Sequence, residues 1–196
     1  AENSDSSYHT EANKSFFEEF DGDVNSLLAC AKEQKKLVVV AHRGGYAPGF
    51  PENSLKAINR TLKYMPTIVE IDVVSTADGI DFLHHDSTLN RTTTGVGKYK
   101  TKAWSEIQKL NLRDNSYAKT KLYPTSFDDM LEELKGKAFL MLDLKSPSSN
   151  KSIINRLKSA NMLASTIFIA YNHIQAKDIL TNAPDALIAI GSAYPK

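Results

Sequence analysis

Three short stretches of this chain, Leu37–His42 (LVVVAH), Ile68–Val74 (IVEIDVV) and Ala138–Lys145 (AFLMLDLK), are almost continuously apolar, and the last two carry carboxylates inside the run. Apolar runs of this length read as strands buried on both faces, the condition of a parallel sheet. Two more strands are expected over Thr166–Tyr171 and Ala186–Ser192. Helical patterns fall between them: Phe16–Lys36 with Asp23 as a plausible N-cap, a helix from Asn53 or Ser54 to about Tyr64, Phe127–Leu134 behind Ser126, and helices near Lys151–Ala160 and His173–Leu180. Strands alternating with helices imply right-handed βαβ units and an α/β fold.

After the second strand the alternation is interrupted. Ala77-Asp78-Gly79 is a turn signal, and Ile80–His84 is expected to pair back as a short hairpin strand. A long polar segment from about Asp86 to Pro124 follows, with one helical stretch around Ser105–Leu112, and reads as an insertion. About five barrel-type strands are present, against the eight of a (β/α)₈ barrel. The sheet is therefore either an open α/β layer or a truncated barrel.

Composition narrows the partners. The 196 residues carry 41% apolar and 24% charged residues, as a globular domain does, and a formal net charge of +1. That charge gives no global drive toward nucleic acid, so anion recognition must be local. No apolar run approaches the ~20 residues that span a bilayer, and no membrane anchor is visible. Cys30 is the only cysteine, read as a small buried hydrophobe, and no zinc-type spacing is present. The polar start, Ala1–Lys14, reads as a tail, and the absence of an initiator Met suits a mature end left by a removed signal peptide, hence a periplasmic or secreted protein. A cropped fragment would look the same.

Side chains alternate along a strand, so Glu70 and Asp72 share one face while Val69, Ile71 and Val73 share the other. In the same way Asp143 and Lys145 face together, opposite Leu142 and Leu144. Buried like charges are costly unless a proton or a cation neutralises them. Three inward carboxylates suit a hard cation such as Ca²⁺ or Mg²⁺; a solvated edge or an internal Asp–Lys pair would also account for them. His42 and Arg43 open a Gly-rich loop at the C-terminal end of the first strand, where α/β sites lie. His84-His85-Asp86 ends the hairpin strand and forms a second candidate region.

The ordered set His42-Arg43-Gly44, Pro51-Glu52-Asn53-Ser54, Glu70-x-Asp72, Asp78-Gly79, His85-Asp86-x-x-Leu89-x-Arg91-Thr92-Thr93, Pro124-Thr125 and Asp143-x-Lys145 resembles the glycerophosphodiester phosphodiesterase family over about residues 37–145. The resemblance implies a (β/α)₈ TIM barrel, here truncated after about five strands, with a small insertion after the second strand. It implies residues 1–36 as polar tail and N-terminal helix and 37–196 as a partial barrel, the insertion lying at about 75–124. His42 and His85 match the catalytic histidines. Glu70, Asp72 and Asp143 match metal ligands, Asp143 standing where the family more often has Glu. Arg43 and Lys145 match phosphate-binding positions, and Glu52 matches a site-lining acid. His84 is read as structural, and Arg91-Thr92-Thr93 as largely loop-fixing.

The implied activity is metal-dependent hydrolysis of a small-molecule glycerophosphodiester to glycerol 3-phosphate and an alcohol, with Ca²⁺ or Mg²⁺. The order of the two histidines as acid and base stays open, as does the oligomeric state. The family's late Trp-containing strand motif has no counterpart, since the sole tryptophan, Trp104, lies in the insertion. Two rival readings remain: a related phospholipase C- or D-type phosphodiesterase, and a truncated relative that binds phosphate or metal without catalysis.

Overall fold

A computed structural model describes residues 16–146 and 150–191. The tail at 1–14 and the end of the fifth predicted strand at Ser192 lie outside the described residues. Five strands run parallel in the order β1 (Val40–Ala41), β2 (Ile68–Ser75), β4 (Phe139–Leu144), β5 (Thr166–Ala170) and β6 (Leu187–Ile190). The short strand β3 (Asp81–Leu83) pairs antiparallel with β2. The parallel strands form a curled, open half-barrel.

Helix α1 (Val24–Glu33) starts at Asp23, whose carboxylate accepts from the Asn25 and Ser26 amides. The expected continuous helix over Phe16–Lys36 is broken. Residues 16–19 are helical, but Asp21 and Gly22 take positive φ of 50° and 67°, which ends that turn before the Asp23 cap. Then come α2 (Leu55–Tyr64), α3 (Trp104–Ile107) in the insertion, α4 (Phe127–Leu134), α5 (Asn150–Ser159) and α6 (His173–Asn182). Ser54, not Asn53, caps α2: its Oγ accepts from the Ala57 amide at 3.2 Å, a contact worth ~1 kcal/mol.

Alternation divides the sheet cleanly. Val69, Ile71 and Val73 of β2, Leu140, Leu142 and Leu144 of β4 and Phe168 of β5 pack outward against α2, α4, α5 and α6. The opposite face is split along the strand direction. Its N-terminal half is apolar: Ile68, Phe139 and Ile167 pack with Val24 and Leu27 of α1 and with Phe16, Phe17 and Phe20. Phe16 meets Phe139 edge-on at 5.7 Å, and Phe17 lies tilted on it at 5.1 Å. The N-terminal segment therefore seals one end of the half-barrel, and polar side chains occupy the other.

The first strand differs from expectation. Only Val40–Ala41 ladder with β2, and Leu37 is 96% exposed. Among the described residues β1 pairs on one side only, with β2, and Val39 and Val40 are partly open to solvent. The insertion builds a small core of Phe82, Leu89, Tyr99 and Ile107 against Val74 of β2. Trp104 packs against Phe82 with ring centroids 5.6 Å apart and has a structural place there.

Candidate active site

The cavity at the C-terminal ends of the strands measures about 350 Å³ and is lined by Val40, His42, Glu70, Asp72, His85, Met141, Asp143, Ile169 and Tyr171. Every lining residue sits on a strand or within two residues of its end. The parallel register sets Asp72 opposite Asp143, with Glu70 two residues earlier on the same face. All three carboxylates are buried.

His42 follows β1 in a tight turn, His42–Gly44, in which Arg43 takes a left-handed φ of 51°. That conformation is unfavourable for any residue with a Cβ and is held by what it achieves. It turns the Arg43 amide onto Glu70 Oε2 at 2.6 Å, while the Arg43 carbonyl accepts from the Asn53 amide at 2.9 Å. Gly44 is needed for packing as well as for its positive φ, because a Cβ there would lie 2.7 Å from Ile58 Cγ1. His42 Nε2 stands 4.0 Å from Glu70 Oε2.

Asn53 answers Asp72. Its side-chain amide donates to Asp72 Oδ2 at 2.9 Å, and its Oδ1 accepts from the Asp72 amide at 3.0 Å. Lys145 Nζ lies 2.6 Å from Asp143 Oδ2 and 3.1 Å from Asp72 Oδ1, forming the internal Asp–Lys pair that alternation allowed. The Tyr171 hydroxyl also donates to Asp143 Oδ2, at 2.6 Å.

A second layer runs behind the cavity. His85 Nδ1 is 2.7 Å from Asp86 Oδ1. Arg91 grips Asp86 through Nε and one terminal nitrogen at 2.7 and 2.8 Å. Its two terminal nitrogens also reach both oxygens of Glu52 at 2.7 and 2.8 Å. Glu52 in turn accepts from Arg43 at 2.9 Å. The network ties the loop bearing His42 to the loop bearing His85, so Arg91 does more than fix its own loop. His84 points elsewhere: it is buried, its Nε2 lies 3.1 Å from the Thr88 carbonyl, and its ring stacks on Phe82.

The electrostatics follow from this crowding. Burial, reinforced by the charge of Asp72, pushes the Glu70 carboxyl up to about 7. Burial and the neighbouring Arg43 guanidinium lower the His42 imidazole below its ordinary value. For Glu52 burial acts upward, but Arg91 and Arg43 outweigh it and hold the carboxyl low. The Arg91 hydrogen bonds hold Asp86 well below the usual carboxylate range.

All eight residues expected from the sequence gather here: His42, Arg43, Glu52, Glu70, Asp72, His85, Asp143 and Lys145. Asn53, Asp86, Arg91 and Tyr171 join them as partners not expected as such. The alternation rule could have found Tyr171, since it follows Ile169 by two positions at the end of β5.

A sequence profile described as the glycerophosphoryl diester phosphodiesterase family matches residues 42–196. The chain belongs to that family. A glycerophosphodiester phosphodiesterase of Caldanaerobacter subterraneus is 30% identical over 163 residues, covering 79% of this chain and 66% of the relative. Human glycerophosphodiester phosphodiesterase 1 is 42% identical over 84 residues, 43% of this chain and 25% of the human protein. Among solved structures, a glycerophosphoryl diester phosphodiesterase from Parabacteroides distasonis superposes with a TM-score of 0.71 at 27% identity, covering 78% of this chain and 53% of its own. A phosphodiesterase from Oleispira antarctica, solved with the product sn-glycerol-3-phosphate, superposes at 0.61 with 25% identity, over 80% of this chain and 65% of its own. The chain thus spans two thirds or less of the length of these family relatives, and its open sheet is the corresponding part of a TIM barrel.

Proposed function

We propose that this chain carries the site of a phosphodiesterase that hydrolyses glycerophosphodiesters to glycerol 3-phosphate and an alcohol. The observation that carries the reading is the meeting of His42 and His85 with three buried carboxylates on one cavity. Membership of the family and the names borne by its relatives support the substrate class.

A divalent cation, Ca²⁺ or Mg²⁺, fits the donor set. Five carboxylates (Glu52, Glu70, Asp72, Asp86, Asp143) stand against three fixed cations (Arg43, Arg91, Lys145), a formal excess of two negative charges. The upward push on Glu70 comes first from burial and then from the charges of Asp72 and Asp143, and a hard cation would relieve the part due to charge. Among the described residues no three such side chains are drawn together tightly enough to hold an ion as they stand, and the Lys145 ammonium lies between Asp72 and Asp143. Glu70, Asp72 and Asp143 would hold the ion, which would supply charge stabilisation to the phosphate in the transition state.

The chain's own groups do the rest. Arg43 and Lys145 provide fixed positive charge for the same phosphate. His42, kept deprotonated near neutrality by burial and Arg43, takes the proton of the attacking hydroxyl. His85 serves the leaving alkoxide, with the Asp86 carboxylate compensating the charge when both ring nitrogens carry protons. The attacking hydroxyl belongs to water, which gives glycerol 3-phosphate directly, or to the glycerol of the substrate itself, which expels the alcohol to form a cyclic phosphate that water must then open to glycerol 3-phosphate.

The Lys145 ammonium between Asp72 and Asp143 favours a second reading, a module that binds the diester without turning it over. One experiment separates them: release of glycerol 3-phosphate from glycerophosphocholine with Ca²⁺ or Mg²⁺, repeated after exhaustive chelation, beside a direct binding measurement. Metal-dependent release supports the enzyme. Binding without release supports the second reading, and absence of both sinks the substrate assignment.

A further inference from the structure

The end of β5 carries a side chain that neither the histidine chemistry nor the charge count explains. Asp143 pairs with Ile169 across β4 and β5, so Tyr171, two residues on, is its diagonal neighbour on the cavity face. The phenol reaches back and donates to Asp143 Oδ2 at 2.6 Å. The Lys145 ammonium donates to the same oxygen, also at 2.6 Å. A carboxylate torsion is broad, and a single contact would leave it free to rock. Two donors converging on Oδ2 from different strands set its plane.

The phenol is itself held from two sides. The Tyr171 amide donates to Gln175 Oε1 at 2.8 Å, which fixes the backbone where β5 passes into α6. Its ring lies against β6 at Gly191: a Cβ there would stand 2.7 Å from Tyr171 Cε1 and 2.9 Å from Cδ1. Only a residue without a side chain leaves that slot open, and Gly191 shows no left-handed φ that would otherwise account for a glycine.

We propose that Tyr171 is a positioning residue for Asp143, setting its carboxylate to receive a divalent cation, and that Gly191 exists to seat the Tyr171 ring. The proposal rests on the metal reading above and adds to it the group that aims one ligand. A merely structural tyrosine at the cavity rim would contribute packing; this one contributes a hydrogen bond to the donor set, and the two differ in what its loss changes.

The test is calorimetric titration of Ca²⁺ and Mg²⁺ into the wild-type chain, Tyr171→Phe, Gly191→Ala and the double variant, with thermal unfolding of each apo protein alongside. Loss of an outer partner of a metal ligand weakens binding about 10–100-fold, so Tyr171→Phe is expected to raise Kd by at least ~10-fold with little change in apo Tm. Gly191→Ala is expected to produce a similar loss by displacing the ring, and the double variant to be no worse than either, because both act through one hydroxyl. A Kd for Tyr171→Phe within about twofold of wild type would overturn the proposal while leaving the metal reading intact. A wild-type chain that binds neither ion would overturn the metal reading and this inference with it.

Discussion

Asp86 accepts from His85: Oδ1 lies 2.7 Å from Nδ1, and the carboxylate is held ionised by Arg91. An ionised carboxylate only accepts, so Nδ1 carries the proton and Nε2 is the nitrogen left for chemistry. Asp86→Asn keeps the size of the side chain and removes both the charge and the tautomer preference. It is expected to lower kcat on glycerophosphocholine by ~10²-fold or more, with KM nearly unchanged. A variant with near-normal kcat would show that His85 does not depend on this contact.

The two histidines are expected to be separately indispensable. His42→Ala and His85→Ala should each lower kcat by ~10²–10⁴-fold, the usual contribution of a positioned acid or base. If both serve one proton-transfer sequence, the double variant should fall far short of the product of the two losses. Steady-state kinetics on the three variants decides this, and turnover near wild type in either single variant would remove that residue from the mechanism.

Acid should unfold the protein partly through Asp86. Its carboxyl is held low by Arg91 in the fold and titrates near 3.9 when unfolded. A lowered folded value means stability that is present above the unfolded value and lost as pH falls through the folded one. Arg91→Met removes the cause, and with it the two bonds that hold the Glu52 carboxyl low in the same way. The variant should be less stable than wild type by about 2 kcal/mol at pH 7, the scale of hydrogen bonds to charged groups. The gap should narrow below about pH 4, where wild type also loses the contribution. Urea midpoints at pH 7 and pH 3 measure it, and a gap independent of pH would refute the assignment.

The elements most legible in the sequence were those governed by a short period. Alternation alone put Glu70, Asp72 and Asp143 on one face, and the same rule separates Val69, Ile71 and Val73 to the other. Periodicity does not say where an apolar run enters the ladder: Leu37–His42 read as one buried strand, yet only Val40–Ala41 pair with β2 and Leu37 stands in solvent. Nor does it encode lateral ties. The Arg91–Glu52 contact spans 39 positions and exists only because the insertion folds back over the first loop. Asn53 and Ser54 are adjacent and both suit a helix cap; only the third dimension gives one to the helix and the other to Asp72.

Asn53 offers the sharpest separation of stability from chemistry. Its φ is 53°, a conformation asparagine tolerates better than most residues, and both ends of its amide are bonded to Asp72. Asn53→Ala keeps the strained backbone and removes both bonds, leaving the Asp72 amide and one carboxylate oxygen without these partners. Unmet buried groups cost ~1–3 kcal/mol and the left-handed backbone adds ~1 kcal/mol, so a loss of about 3 kcal/mol is expected in urea unfolding. Asn53→Gly relieves the backbone term but not the hydrogen bonds, and should recover no more than about 1 kcal/mol. Full recovery by glycine would mean that backbone conformation, and not the clasp on Asp72, is what Asn53 supplies.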